Sequence, residues 1–280
     1  RNLVLGFAII VAVNAAAILQ GKGLYSINYY TGFERYQGVF KDLHSMAHTI
    51  GFSIMLVVIY FGLQRAWRGP GAWRKQRVLM VVSALIVALA VFSLIKSNVR
   101  TVMIGLVVFF GVLVWLRNRR WFFVYAGGLV AVWLLSGYVQ TVFWDATRGK
   151  GVGSAVEMAG SGRPFIWGHN LRMYADLPFD QQITGLGVGN EIGVMPANGV
   201  ITSEYRFRAW ESHNDYLSAL MELGGVGFLL VIWIYYLLFQ HARSAPATVR
   251  PYYLALLVAV IAMNFLSNSY LNRFGLGQLF

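Results

Sequence analysis

His213-Asn214-Asp215-Tyr216 stands where a long polar segment runs into an apolar stretch, and its imidazole is the best-placed acid–base group in the chain. Nine residues separate Asn214 from Gly224, and Gly227 follows three further on. At about 100° per residue, His213, Leu217, Leu220, Gly224, Gly227 and Val231 fall in one helical stripe. The spacing predicts a titratable ring at the mouth of a helix whose same face lets another helix approach closely. Ser212-His213-Asn214-Asp215 also matches the Ser-x-x-Asp capping pattern, with Ser212 as N-cap and His213 in the first turn. Free N–H groups and the helix dipole favour anions there. They also disfavour imidazolium, which leaves a neutral ring able to accept a proton. Glu211 is close enough in sequence to orient that ring. The same residues fit an interfacial histidine that only hydrogen-bonds to a loop.

Cations form the second group. Arg100 lies in Lys96-Ser97-Asn98-Val99-Arg100-Thr101, a short turn between two apolar stretches. Its planar fork suits phosphate oxygens, although an arginine here can also snorkel to a membrane interface. Arg163 follows Gly160-Ser161-Gly162 and precedes Pro164, with Trp167 one helical turn on. It reads either as an anion contact or as a surface arginine packed on tryptophan. Arg35, Lys41, Arg172, Arg206 and Arg208 add to this basic character, or touch lipid headgroups. Gly185-Leu186-Gly187-Val188-Gly189 lacks the last glycine of a dinucleotide loop and any βαβ setting, so it reads as a turn needing unusual backbone angles. Glu222 stands deep in an apolar stretch, where a carboxylate is functional or paired with another span. The five histidines show no metal-ligand spacing, and no nucleophilic triad is visible; neither a metal site nor a cofactor is expected.

The elements that must position these groups are membrane spans. The 280-residue chain is 58% hydrophobic and only 12% charged, with a mean hydropathy of +0.58. A soluble domain carries roughly 25% charged residues. Seven stretches approach the roughly 20 apolar residues that a span needs: 3–19, 44–64, 78–95, 101–116, 121–142, 214–240 and 251–269. The expected fold is an all-α polytopic transmembrane bundle, a single integral-membrane domain over 1–280. A large loop over 143–212 lies between the fifth and sixth spans, with a short amphipathic helix at 163–177 ended by Pro178. The chain starts at Arg1 and is read as the C-terminal part of a longer protein with further spans before it.

Charge sets the orientation. Arg65, Arg68, Arg74, Lys75 and Arg77 share a side with Arg117, Arg119 and Arg120 two spans later, and Arg243 and Arg250 fall there too. The positive-inside rule makes that side cytoplasmic and accounts for much of the net charge of +12 without nucleic acid. None of the eleven Asp and Glu residues lies in those loops. The opposite side then holds the 20–43 loop, the Lys96–Arg100 turn and the large loop. With no cysteine, disulfide and thiolate chemistry are excluded.

Together these residues resemble the O-antigen ligase and polymerase superfamily of bacterial envelope glycosyltransferases. The ligase-type pattern is His, then Asn, Ser or Gln, nine residues, Gly, two residues, then Gly, Thr or Tyr. His213-Asn214 through Gly224 and Gly227 satisfies it. Ser97-Asn98-Val99-Arg100 is similar to the family's Ser-Arg turn, with two residues intervening. Ser161-Gly162-Arg163 with Trp167, then Pro178 and the glycine-rich turn, resembles its large periplasmic loop, and Arg35-x-x-Gly38-x-Phe40 an earlier run.

The resemblance implies a metal-independent, inverting transfer of a glycan from undecaprenyl diphosphate to a hydroxyl on the periplasmic face of the inner membrane. The expected acceptor is lipid A–core. In that reading Arg100 and Arg163 clamp the diphosphate, and His213 is the base or a further diphosphate contact. Asn214, Arg35, Arg172, Arg206, Arg208 and Trp167 bind substrate, and Glu211 orients. A polysaccharide polymerase or protein glycosyltransferase of the same superfamily, and a lipid-linked glycan transporter, are the alternatives.

Overall fold

The computed structural model describes residues 2–27, 34–68, 77–135, 163–188 and 212–267. Among these lie nine helices and one two-stranded antiparallel ribbon. They are α1 (Asn2–Leu19), β1 (Leu24–Ile27), β2 (Glu34–Tyr36), α2 (Leu43–Arg68), α3 (Arg77–Ser97), α4 (Arg100–Arg117), α5 (Arg119–Leu135), α6 (Arg163–Asp176), α7 (Phe179–Thr184), α8 (Asp215–Ser244) and α9 (Arg250–Leu266). Helices α1–α5, α8 and α9 fall on the seven apolar stretches. Three of them are long and apolar enough to cross a membrane, at Leu43–Gln64, Arg100–Arg117 and Asp215–Ser244. Shorter apolar runs occupy Leu5–Leu19, Val81–Ser97 and Arg250–Leu266. A helix satisfies every internal N–H and C=O without water, which is why long apolar runs take this form in lipid. Helix α5, which is not among these spans and runs, has no buried residue, and its Trp121, Phe123, Val130 and Leu135 are exposed.

The chain divides into two compact units, one of 1–136 with 242–262, the other of 137–241 with 263–280. In the first, α1 and α3 pack together, α2 packs on α1, α3 and α4, and α5 on α4. Val11, Leu43, Met46, Ile50, Ile54, Leu94, Val99 and Val102 form its core. Helices α3 and α4 are separated by a tight reversal at Asn98, whose φ of 53° is one that asparagine tolerates better than most side chains. The buried Ser97 hydroxyl donates to the Leu94 carbonyl at 2.7 Å and accepts the Val99 N–H at 3.2 Å, which ties the end of α3 to the start of the reversal. The ribbon is tied down from α1: the buried Asn14 side-chain oxygen accepts the Val39 N–H at 3.1 Å.

In the second unit, α6 buries Ile166, Asn170 and Met173, the i, i+4, i+7 face of an amphipathic helix, and leaves Arg172 exposed. Pro178 stops it, since proline cannot donate to the preceding turn. Gln182 staples the α6–α7 hairpin, its amide donating to the carbonyls of Ala175 (3.0 Å) and Leu177 (2.8 Å). The Tyr174 hydroxyl donates to the Gln182 carbonyl at 2.6 Å.

Candidate functional site

Helix α8 begins at Asp215, and its N-cap is Asn214 rather than Ser212. The Asn214 side-chain oxygen accepts the N–H groups of Tyr216 (3.0 Å) and Leu217 (3.2 Å), the bonds that define an N-cap. The fully buried Ser212 hydroxyl is used differently. It donates to the Asn214 carbonyl at 2.9 Å and lies 2.6 Å from the Ser218 hydroxyl. His213 therefore sits ahead of the helix instead of in its first turn. It adopts a φ of 49°, the left-handed region, and its side chain is half-buried. A non-glycine residue there is held by its surroundings, a pattern that favours functional positions.

Those surroundings are visible. The Trp167 indole N–H donates to the Ser212 carbonyl at 2.9 Å, and its ring meets Phe265 edge-on, with centroids 5.1 Å apart. The tryptophan one turn along α6 from Arg163 thus fastens the residue immediately before His213. The indole N–H is spent on that carbonyl, so its structural part is to position the histidine segment. Arg163 opens α6, and Arg172 lies two turns further on, its Nε donating to the Gly168 carbonyl at 3.2 Å. Between them, His169 has its pKa lowered, first by partial burial and second by the Arg172 charge.

The glycines do something the periodicity did not predict. Gly224 takes φ 67° and ψ −170°, which breaks α8. The break releases the carbonyls of Met221 and Glu222 from their helical partners. They accept instead the N–H groups of Leu186 and Gly187, both at 2.9 Å. Gly185 (φ 81°) closes against Gly224 backbone to backbone. A Cβ on Gly185 would strike the Glu222 carbonyl, and one on Gly224 the Ile183 carbonyl. The face expected to receive another helix receives this loop, because the loop has free N–H groups for the released carbonyls, whereas the interior of a helix has none to spare. The turn expected at 185–189 does need unusual angles as far as it is described, with Gly187 at φ 92°.

In the first unit, the ribbon and the α3–α4 reversal gather cations at one end. The Arg35 Nε donates to the Ser97 carbonyl at 3.2 Å, three residues before Arg100 opens α4. The Lys96 ammonium sits over the Tyr36 ring, 5.8 Å from its centroid. These cations share this end of the unit with the carboxylates Glu34 and Asp42, and arginine forks of this kind receive phosphate oxygens. Two histidines at the same end escaped the sequence reading. His44 and His48 stack with centroids 6.5 Å apart at the start of α2, and the His48 Nδ1–H donates to the His44 carbonyl at 2.8 Å. Their i, i+4 spacing was the available signal.

The structure therefore joins Arg35 with the reversal that leads into Arg100 in one unit, and Trp167 with the Ser212–Asn214 segment in the other. Arg206, Arg208 and Glu211 lie outside the described residues. Among the described residues, no three His, Asp or Glu side chains gather as metal ligands would.

A family model for O-antigen ligases matches residues 85–232, more than half of the chain. That segment runs from within α3 to within α8 and includes Arg100, Arg163, Trp167, Arg172, His213 and Asn214, while Arg35 lies before it. A comparison with curated proteins gives no match. On the strength of that match, the chain belongs to the O-antigen ligase family.

Proposed function

We propose that this protein moves a glycan from undecaprenyl diphosphate to a hydroxyl of lipid A–core, at the periplasmic face of the inner membrane and without a metal ion. The observation that carries this reading is the His213 segment inside the family-matched region. A left-handed histidine there is fixed on one side by the Asn214 cap and on the other by Trp167. A base has to be held within hydrogen-bond reach of the proton it takes, and a fixed backbone at His213 supports that role.

The acceptor oxygen attacks the anomeric carbon as its bond to the carrier diphosphate breaks, on the opposite face, so the configuration inverts. His213 takes the hydroxyl proton. The leaving diphosphate gains negative charge, which Arg100 and Arg163 stabilise, with Arg35 as a further substrate contact. Removing one preorganised charge contact of this kind costs about 10²–10³ in kcat. Arg172, Arg206 and Arg208 extend the anionic contact surface, Glu211 orients the ring, and Asn214 and Trp167 hold the segment in place.

The test is reconstitution of the full-length protein with carrier-linked donor and lipid A–core in EDTA. The wild type is expected to transfer glycan to core, and Arg100→Ala and Arg163→Ala to fall at least a hundredfold. Extension of the donor without transfer to core would assign a polymerase instead. Donor binding without chemistry on any acceptor would contradict the transferase reading.

A further inference from the structure

At the opposite end of the first unit from Arg35 and Arg100, a cavity of about 430 Å³ opens between α2, α3 and α4. Its walls are apolar, formed by Val58, Phe61, Ala84 and Val87, and its polar end carries Arg117 and Tyr252. The volume is within the range of sites that hold small organic ligands. Gly62 lets Tyr252 approach α2, because any side chain there would run into the tyrosine ring and hydroxyl. The Arg117 guanidinium lies over that ring, 4.7 Å from its centroid, which fixes the plane of its donor fork.

The charge at this end is unbalanced. Over 1–136 and 242–262 the sequence holds two carboxylates, Glu34 and Asp42. Both precede α2, at the other end. Arg117 is followed by Arg119 and Arg120, and Arg250 opens α9 beside Tyr252. An apolar cavity between helices with a cation at its polar end, and no carboxylate of the first unit at that end among the described residues, is complementary to an anionic lipid.

We propose that this cavity is a structural site for an anionic phospholipid of the inner leaflet, one acyl chain lying against Val58, Phe61, Ala84 and Val87 and the phosphate meeting Arg117. The site is separate from the transfer chemistry and does not depend on it.

The full-length protein would be placed in phosphatidylcholine nanodiscs containing, in separate samples, equal mole fractions of diazirine-tailed phosphatidylglycerol or diazirine-tailed phosphatidylcholine. Crosslinked peptides would be mapped after illumination. Labelling of 57–62 or 83–87 at least fivefold stronger with the glycerol lipid is expected. Arg117→Gln should remove that preference, and Ala84→Phe should reduce labelling by either probe. Wild-type labelling that ignores the headgroup would overturn the proposal, and this arm depends on no variant folding. So would displacement of the phosphatidylglycerol probe by undecaprenyl phosphate but not by unlabelled phosphatidylglycerol.

Discussion

Asn214 shows how much of the site is set by one side chain. Its amide oxygen takes two N–H groups that α8 would otherwise leave open, and it fixes the residue after His213. Asn214→Ala should cost about 1 kcal/mol of stability, whereas Asn214→Asp retains a capping oxygen. Glycan transfer should fall in the alanine variant and largely return in the aspartate, with thermal melting in detergent read alongside activity. His169 offers a pH test. Its folded-state pKa lies below the ordinary 6.5, through burial and then Arg172, so the folded protein resists protonation there. The contribution of neutral His169 is therefore complete above that ordinary value and is lost as pH falls through and below it. Arg172→Gln should move the His169 titration upward, as read from its imidazole proton resonances. His213, Asn214, Arg35 and Arg100 stand out in the sequence as candidates because each is rare in apolar surroundings. The identity of the cap was not legible there. Ser212 and Asn214 are both good N-caps, and only the packing of Ser212 against Ser218 decides between them.

At the scale of elements, the helices were legible almost to their ends, since apolar runs punctuated by arginines leave little choice of conformation. The break in α8 was not. A 3.6-residue period continues from Leu217 through Gly224 to Val231, and nothing local distinguishes a glycine admitting a neighbour from one that reverses its backbone. The deciding partner is the 185–187 turn, almost forty residues earlier, whose N–H groups fill the carbonyls that the break exposes. Gly224→Ala and Gly185→Ala should each destabilise by more than about 1 kcal/mol, because both impose a positive φ on alanine and a backbone collision. The two glycines face one another, so the double variant should lose less than the sum of the single losses. Additive losses in thermal or denaturant unfolding would show that the loop and the break are not one device.

At the scale of the whole molecule, the charge count alone placed the 20–43 loop and the Lys96–Arg100 turn on one side, and Arg35 does reach Ser97. These 280 residues hold no cysteine, so in a cysteine-free full-length protein single cysteines placed in them report topology. Asn98→Cys should react with an impermeant maleimide from the periplasmic side, and Asn118→Cys only after the membrane is opened. Labelling of both from one side would refute the orientation on which the periplasmic site depends. The central claim is that the protein itself performs a metal-independent transfer in which His213 takes the acceptor proton. Its most direct test is the single-turnover rate of glycan transfer from undecaprenyl diphosphate to lipid A–core in EDTA, for wild type and His213→Ala with saturating donor. The account predicts transfer by the wild type and a fall of about 10²–10⁴ in the variant, the span of general base catalysis, with donor still bound. An unchanged rate in His213→Ala, or a wild type silent until a divalent cation is added, would contradict it.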